Sequence, residues 1–157
     1  AMEPKVREQI DVIHHRIKEL NSLYHRAAGK SGISAGELDI WSALLYTNEE
    51  FSQQDLCETL SLPKQTVHSL VSGLVKKGFV FLEHCAGSRN RKVIRLTQAG
   101  ESYGRERVQW IFEAEQRAME DTDPQEVQAS IAMLEKYIQR FRKELEGAAP
   151  LLKKDDE

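Results

Sequence analysis

The two ends of the chain carry the same pattern, in which large apolar residues recur at alternating spacings of four and three. Near the N-terminus they are Val6, Ile10, Ile13, Ile17, Leu20 and Tyr24, and near the C-terminus they are Val127, Ile131, Leu134, Ile138, Phe141 and Leu145. This spacing places each set on one narrow stripe of an α-helix. Burial of one such side chain stabilises a protein by roughly 1.5–3 kcal/mol. We therefore expect a long first helix and a long last helix, each packed against a partner.

Two capping signals follow the first helix. Ser34 with Glu37 is typical of a capping box, in which the Ser oxygen accepts a backbone N–H and the Glu side chain reaches back. This signal predicts the start of a second helix. Ser52 and Asp55 give a looser signal of the same kind, which predicts a short third helix over about residues 53–60.

A fourth helix is expected after a tight turn. Pro63 suits its first position, because the fixed φ of proline is already helical and its missing N–H is not needed there. Lys76-Lys77-Gly78 suits its end, since cations are favoured at the negative end of the dipole and glycine adopts a left-handed stop. The residues that this helix is expected to bury are Val67, Leu70, Val71 and Leu74. A short helix, a turn and a second helix are the order of a helix-turn-helix.

A β-hairpin is predicted directly after the fourth helix. Residues 79–84 and 91–96 are rich in β-forming side chains and are separated by a tip of residues 85–90. Thr97 then suits the cap of a fifth helix, and Asp123-Pro124 suits the start of the last one. The residues expected on the inner side of the fifth helix are Tyr103, Trp110, Ala114 and Ala118.

The outer face of the fourth helix has the chemistry of a DNA-reading element. Its residues are Lys64, Gln65, His68, Ser69 and Ser72. These side chains are short or hydrogen-bonding, as a helix requires if it is to enter the major groove and contact base edges. The hairpin would then lie along the phosphate backbone. The chain has a net charge of −3, but residues 62–96 contain seven basic residues and one acid, a local charge of +6.

The whole chain resembles a known family. Residues 51–100, with LSLPKQTVHSLVSGLVKKGFV followed by SRNRKVIRLTQAG, are similar to the winged helix-turn-helix of the multiple antibiotic resistance regulator (MarR) family. The resemblance implies a mainly α fold with a small β-hairpin, a winged helix-turn-helix with N- and C-terminal dimerisation helices. It also implies a bacterial homodimeric transcription regulator whose first and last helices interleave. Many members lose DNA affinity on binding a small aromatic or lipophilic effector, a metal ion or an oxidant.

The resemblance further implies which residues contact DNA. Gln65, Thr66, His68 and Ser69 match the groove-facing positions of the family's recognition helix, and Arg89 and Arg91 match the tip of its wing. The complete predicted set is Lys64, Gln65, Thr66, His68, Ser69, Ser72, Arg89, Arg91 and Lys92. Pro63 departs from the Ser that the family usually has, and Ser88-Arg89-Asn90 departs from its usual Asp-x-Arg. The second departure leaves open which arginine enters the minor groove.

The same layout divides the chain into parts with separate roles. Residues 1–32 are expected to form an N-terminal dimerisation helix, 33–100 the DNA-binding domain, 101–150 the C-terminal dimerisation helices and 151–157 a disordered tail. The residues expected in the dimer interface are Ile10, Ile13, Ile17, Ile131, Leu134, Ile138 and Phe141. The end helices of one chain could instead pack on each other in a monomer. We favour the homodimer, because a symmetric dimer that reads two half-sites gains affinity.

Other candidate sites have simpler explanations. His14, His15 and His25 lack the spacing of a preformed metal site, so we expect no metal. Cys85 is a better candidate than Cys57 for an oxidant-sensing thiol, because it lies among basic residues. The aromatic residues Trp41, Tyr46, Tyr103 and Trp110 could line an effector pocket, although aromatics at helical spacing are first of all core residues.

The sequence gives no support for catalysis or for a membrane protein. It contains no paired carboxylates, nucleophile motif, phosphate-binding glycine loop or cofactor fingerprint, so neither an enzyme nor a cofactor is predicted. No apolar run approaches the length needed to span a bilayer. Together with these absences, the resemblance to the MarR family implies a cytoplasmic, ligand-responsive homodimeric repressor that binds a palindromic operator in double-stranded DNA. The alternative is a winged-helix interaction module that binds protein and not DNA.

Overall fold

The computed structural model describes residues 3–148, and the tail predicted at 151–157 lies outside them. The described residues form six helices and two strands: α1 (Pro4–Lys30), α2 (Ala35–Tyr46), α3 (Gln53–Leu60), α4 (Lys64–Lys76), β1 (Val80–His84), β2 (Lys92–Leu96), α5 (Gln98–Met119) and α6 (Pro124–Gly147). The prediction of a mainly α fold with one small β-hairpin and a helix-turn-helix is confirmed. The chain divides into two compact units, one ending at Ala114 and the other beginning at Glu115.

The core of the first unit lies where α2, α3 and α4 pack on one another and on the hairpin. Its largest fully buried side chains are Trp41, Ile40, Leu56, Leu74, Val67, Val71 and Val108. Phe79, just before β1, stacks on Tyr103 of α5 with the ring centroids 4.2 Å apart. Aromatic pairs of this kind contribute roughly 0.5–1.5 kcal/mol beyond burial. The core therefore joins the helix-turn-helix to the hairpin and to the first half of α5.

The hairpin is a two-stranded antiparallel sheet. Its register pairs Val80 with Leu96, Phe81 with Arg95, Leu82 with Ile94, Glu83 with Val93 and His84 with Lys92. The N–H of Ile94 also donates to the carbonyl of Phe51 at 2.8 Å, which attaches β2 to the segment before α3.

The two predicted helix caps form differently from expectation: the box at α2 is incomplete and the one at α3 is complete. At α2 only half of the box forms: Oγ of Ser34 accepts from the N–H of Glu37 at 3.1 Å. Glu37 turns its Oε2 into a buried position with no hydrogen bond among the described residues. At α3 the box is complete, because Ser52 and Asp55 each accept the other's backbone N–H, at 3.1 and 2.9 Å. The signal that is looser in the sequence therefore gives the better cap.

Pro63 does not occupy the first helical position that the sequence predicts. Its ψ of 144° is extended, so it is the N-cap residue, and α4 begins at Lys64. The carbonyl of Pro63 accepts the N–H of Val67 at 3.1 Å, which is the first bond of the helix. The fixed φ of proline is compatible with both positions, and ψ, which proline leaves free, decides between them.

The inner side of α5 also differs from the prediction. Trp110 and Ala118 are exposed, while Tyr103 and Ala114 are half-buried. The buried residues of α5 are Gly100, Gly104, Val108 and Ile111. Two of them are glycines, which a search for large apolar side chains overlooks. Close approach of the backbone, and not side-chain size, therefore selects the inner face.

One junction ties both ends of the hairpin to the start of α5. Gly78, with φ of 74°, ends the turn after α4 in a conformation that favours glycine. Oγ1 of Thr97 donates to the carbonyl of Gly78 at 2.6 Å and accepts the N–H of Gly100 at 3.0 Å. A β-carbon on Gly100 would lie only 1.8 Å from the carbonyl oxygen of Phe79. Only glycine therefore fits at residue 100 without movement of the backbone.

In the second unit, α6 begins as the sequence predicts. Asp123 is its N-cap and accepts the N–H of Gln125 at 2.9 Å, and Pro124 lies in the first turn. Among the described residues of α6 none is buried. Apolar side chains of this unit line an open groove of about 560 Å³, including Met119, Ile131 and Leu134. None of the helices within residues 3–148 combines the length and apolarity needed to cross a membrane.

We predict that Gly100→Ala destabilises the protein by about 3 kcal/mol, because the new β-carbon overlaps the carbonyl of Phe79. Gly73→Ala is the matched control: it lies inside α4, and a β-carbon there meets nothing within 4 Å. This control should gain about 0.5–1 kcal/mol from the lower conformational entropy of the unfolded chain. Urea unfolding measures both changes. Equal midpoints for the two variants would contradict the close approach at residue 100.

Candidate nucleic-acid interface

Helix α4 separates its residues by face. Val67, Val71 and Leu74 are buried in the core, and Leu70 is half-buried. On the other side Lys64, Gln65, Thr66, His68 and Ser69 are exposed and Ser72 is half-buried. These six residues are called the recognition face below. This face presents short and hydrogen-bonding side chains to solvent, as the sequence predicts.

A tight turn fixes α4 relative to α3. Ser61 adopts a left-handed conformation with φ of 52°, and the N–H of Leu62 donates to the carbonyl of Cys57 at 3.2 Å. These features close α3 at its C-terminus. Across the turn, Nδ1 of His68 lies 3.3 Å from Oε1 of Gln53, the first residue of α3. The start of α3 therefore contacts the recognition face.

The tip of the hairpin is an ordered turn. The N–H of Cys85 donates to the carbonyl of Arg91 at 2.9 Å, and the N–H of Arg91 donates to Oγ of Ser88 at 3.2 Å. Arg89 lies at the outer end of this turn and is exposed. Within residues 3–148 its guanidinium makes no hydrogen bond or ion pair. Arg89 is thus available to a ligand.

Arg91, in contrast, is bound to α3. Its Nη2 lies 2.7 Å from Oδ2 of Asp55, and its Nη1 lies 3.5 Å from Oδ1. The backbone N–H of Ser52 and the Arg91 guanidinium together hold the pKa of Asp55 below its usual value. The hydrogen bond to Asp55 in turn raises the pKa of Arg91. Both groups are therefore charged at neutral pH and form an ion pair.

Arg95 braces the other end of the hairpin. Its Nε lies 2.8 Å from Oε2 of Glu83, and its Nη2 lies 2.7 Å from Oε1 of Glu50. Asp55 and Glu50 precede the segment over which the local charge of +6 is counted. Two of its seven basic residues are thus neutralised by acids outside it, so the count overstates the positive charge available to a ligand.

A groove of about 540 Å³ separates the start of α3 from the wing. It is lined by Ser52, Gln53, Gln54, Ser88, Asn90, Arg91 and Lys92. Gln53 also contacts His68 of the recognition face. The surface therefore runs from the recognition face, over the start of α3, to the groove and the wing tip. The predicted residues of α4 and of the wing are thus brought together.

Sequence reasoning missed Gln53, which lines this groove, and Asp55 and Arg95, whose ion pairs hold the hairpin in place. The sequence identifies Asp55 only as part of a helix cap. Its partner Arg91 lies 36 residues further along the chain, and no helical or strand spacing connects positions so far apart. No local signal in the sequence therefore identifies this pair.

The aromatic candidates pack against other rings or form a hydrogen bond, but Nε1 of Trp41 is buried and has no hydrogen-bond partner among the described residues. Trp41 is fully buried, and its ring lies 5.9 Å from that of Tyr103. Tyr46 is partly exposed with its ring 4.2 Å from Phe112. Nε1 of Trp110 donates to Oγ of Ser31 at 2.8 Å.

His14, His15 and His25 are exposed on α1. No group of three or more His, Cys, Asp or Glu within residues 3–148 is arranged to hold a metal ion. Cys57 and Cys85 are half-buried free thiols.

The residues predicted to form a dimer interface lie on α1 and α6. Ile17, Ile131, Leu134, Ile138 and Phe141 are between 40% and 52% exposed. Ile10 and Ile13 are half-buried. A large part of both apolar stripes therefore faces solvent in the single chain.

Comparisons with known proteins agree with this geometry. A family model described as MarR family matches residues 31–89. No curated protein is a significant match to the chain. Among solved structures, a MarR family regulator from Neisseria meningitidis has a TM-score of 0.77 and 19% identity, covering 88% of this chain and 97% of its own.

Two further solved structures add information through their descriptions. MepR of S. aureus, in a DNA-binding conformation, has a TM-score of 0.71 and 19% identity, covering 85% of this chain and 98% of its own. CouR of Rhodococcus jostii RHA1, bound to p-coumaroyl-CoA, has a TM-score of 0.65 and 18% identity, and the match covers 87% of this chain and 95% of CouR. The resemblance to the MarR family is thus confirmed: the family's model matches residues 31–89, and the chain has the winged helix-turn-helix fold of the family's solved regulators.

Proposed function

We propose that this protein is a transcription regulator that binds a specific sequence in double-stranded DNA. One observation carries the proposal: the start of α3 contacts the recognition face through Gln53 and faces, across one groove, the wing segment that carries the exposed Arg89. This arrangement suits a duplex, because a helix with short side chains can enter the major groove while a basic hairpin contacts the adjacent backbone.

The residues divide into two groups by chemistry. Gln65, Thr66, His68 and Ser69 offer donors and acceptors that can distinguish base edges, with Lys64 and Ser72 at the margins of the same face. The wing residues Arg89, Arg91 and Lys92 offer positive charge, which phosphates attract irrespective of sequence. The first group is proposed to determine specificity and the second to determine affinity.

The apolar stripes of α1 and α6 support a homodimer. Residues on both helices that are large and apolar remain exposed in the single chain, and covering them with a second copy would remove this area from water. A two-fold dimer presents two copies of α4, which matches a palindromic operator. We propose residues 1–32 and 101–150 as the dimerisation regions and 33–100 as the DNA-binding domain.

A ligand-responsive repressor is the form of regulation that we propose. The support is the structure of CouR, a protein of the same fold that is described with p-coumaroyl-CoA bound, and that of MepR, described in a DNA-binding conformation. A small aromatic or lipophilic effector that favours a second conformation would lower DNA affinity by shifting the population away from the binding form. Such a regulator would act in the cytoplasm.

Electrophoretic mobility shift with fragments of the protein's own upstream region tests DNA binding. We expect a retarded duplex in dilute buffer whose affinity falls roughly a thousandfold or more between about 50 and 200 mM salt, as phosphate contacts are lost. The control is a random duplex of equal length, which should bind more weakly at every salt concentration. No retarded duplex at any salt concentration would favour the protein-interaction alternative.

The two groups of residues should respond differently to substitution. Gln65→Ala or Ser69→Ala should reduce the discrimination between operator and mismatched duplex by about 1–3 kcal/mol, while nonspecific binding is kept. Arg89→Ala should weaken all duplexes alike and lower the salt slope by about 1 per site. Equal losses from both substitutions on every duplex would contradict the proposed division.

The dimer is tested by a charge placed on the stripe of α6. We expect Ile138→Glu to lower the association constant at least about tenfold, because it buries a charge in an apolar contact. Gln139→Glu introduces the same charge one residue further on, off the stripe, and should leave association unchanged. Sedimentation velocity over a range of concentrations measures both. A wild-type protein that sediments as a monomer at micromolar concentration would overturn the dimer.

A further inference from the structure

We propose that Asp55 is a positioning residue for DNA binding, which holds the wing against α3 through Arg91 so that Arg89 meets the duplex. This inference rests on the proposed function and adds to it an acidic residue that increases affinity for a polyanion. Arg91 is thereby assigned to orientation of the wing, and Arg89 to contact with DNA.

The contacts form a continuous path from the backbone of α3 to the tip of the wing. The capping box fixes the Asp55 carboxylate, because its Oδ2 accepts the N–H of Ser52 at 2.9 Å. The same oxygen accepts Nη2 of Arg91 at 2.7 Å. Arg91 then holds the turn through its own backbone, whose N–H donates to Ser88 and whose carbonyl accepts from Cys85. Arg89 lies within this turn.

The position of Asp55 would be unfavourable for DNA binding if the residue acted by charge alone. A carboxylate beside a phosphate backbone repels it and reduces the number of cations that the protein can offer. Asp55 also neutralises Arg91, one of the wing cations. Its benefit must therefore come from geometry, by ordering the tip before DNA arrives and so reducing the entropy lost on binding.

The exposure of the pair predicts where its effect is measurable. The side chains of Arg91 and Asp55 are 44% and 28% exposed, and ion pairs at such sites add little to the stability of a fold. Arg95 with Glu83 and Glu50 already holds the base of the hairpin. Loss of the Asp55 contact should therefore loosen the tip alone.

The proposal is tested by whether Asp55→Asn weakens or strengthens binding to the operator. Asp55→Asn keeps an oxygen for the helix cap but loses the ion pair. We expect the operator to bind about two- to fivefold more weakly, although a negative charge is removed. Glu58→Gln is the matched control on the same helix, because within residues 3–148 the Glu58 side chain hydrogen-bonds to Gln54 and not to the wing. It should bind as well as the wild type or slightly better. Equal or tighter binding by Asp55→Asn overturns the proposal.

Arg91→Gln breaks the same contact from the wing side and provides a second test. The double variant Asp55→Asn with Arg91→Gln should bind about as weakly as Arg91→Gln alone, because the two side chains act through one interaction. Additive losses would overturn the proposal. Circular dichroism of each variant at the assay temperature verifies that the compared proteins are folded.

Hydrogen exchange without DNA separates this inference from the proposed function. We expect the amides of Cys85 and Arg91 to exchange faster in Asp55→Asn than in Glu58→Gln, while amides within β1 and β2 exchange as in the wild type. If the wild type binds no duplex, the proposed function fails. The inference then fails with it, even if the amides of Cys85 and Arg91 exchange faster in Asp55→Asn. If the wild type binds DNA but exchange at these amides is unchanged, only the inference fails.

Discussion

The start of α5 lies against the base of the wing so closely that residue 100 has no space for a side chain. The carbonyl of Phe79 occupies the place that a β-carbon on Gly100 would need. Thr97, which follows β2, donates a hydrogen bond to the carbonyl of Gly78, which precedes β1. The strands therefore leave and re-enter the helical core at one point. The stacking of Phe79 on Tyr103 and the direction of the wing both depend on this contact.

The acidic residues around the wing act as braces. Asp55 holds the tip, while Glu50 and Glu83 hold the base, each through an arginine of the second half of the hairpin. A two-stranded hairpin alone is only marginally stable in water, so such anchors compensate for its small size. The cost is charge, because two arginines are neutralised. The result is a wing with fewer free cations but a defined position.

The sequence was sufficient for features that depend on neighbouring residues. The bounds of α3, the cap of α6 and the buried face of α4 follow from spacing and local chemistry. Side-chain size and apolarity place Trp110 on the wrong face of α5, whereas the inner face in the structure carries Gly100 and Gly104. The pairing of Asp55 with Arg91 had no local signal at all. Such contacts arise only when the core sets the distance between α3 and the hairpin.

The exposed state of α6 has a consequence for the order of folding. Residues of the first unit have a core of their own, whereas among the described residues of α6 none is buried. Most helical stability in proteins comes from packing of an amphipathic face. We therefore expect residues 35–111 to fold as one unit, at a rate that does not depend on protein concentration. The last helix, which is already formed and capped in the single chain, should gain most of its stability only when another surface covers its apolar side chains, and until then it should open more readily than the first unit.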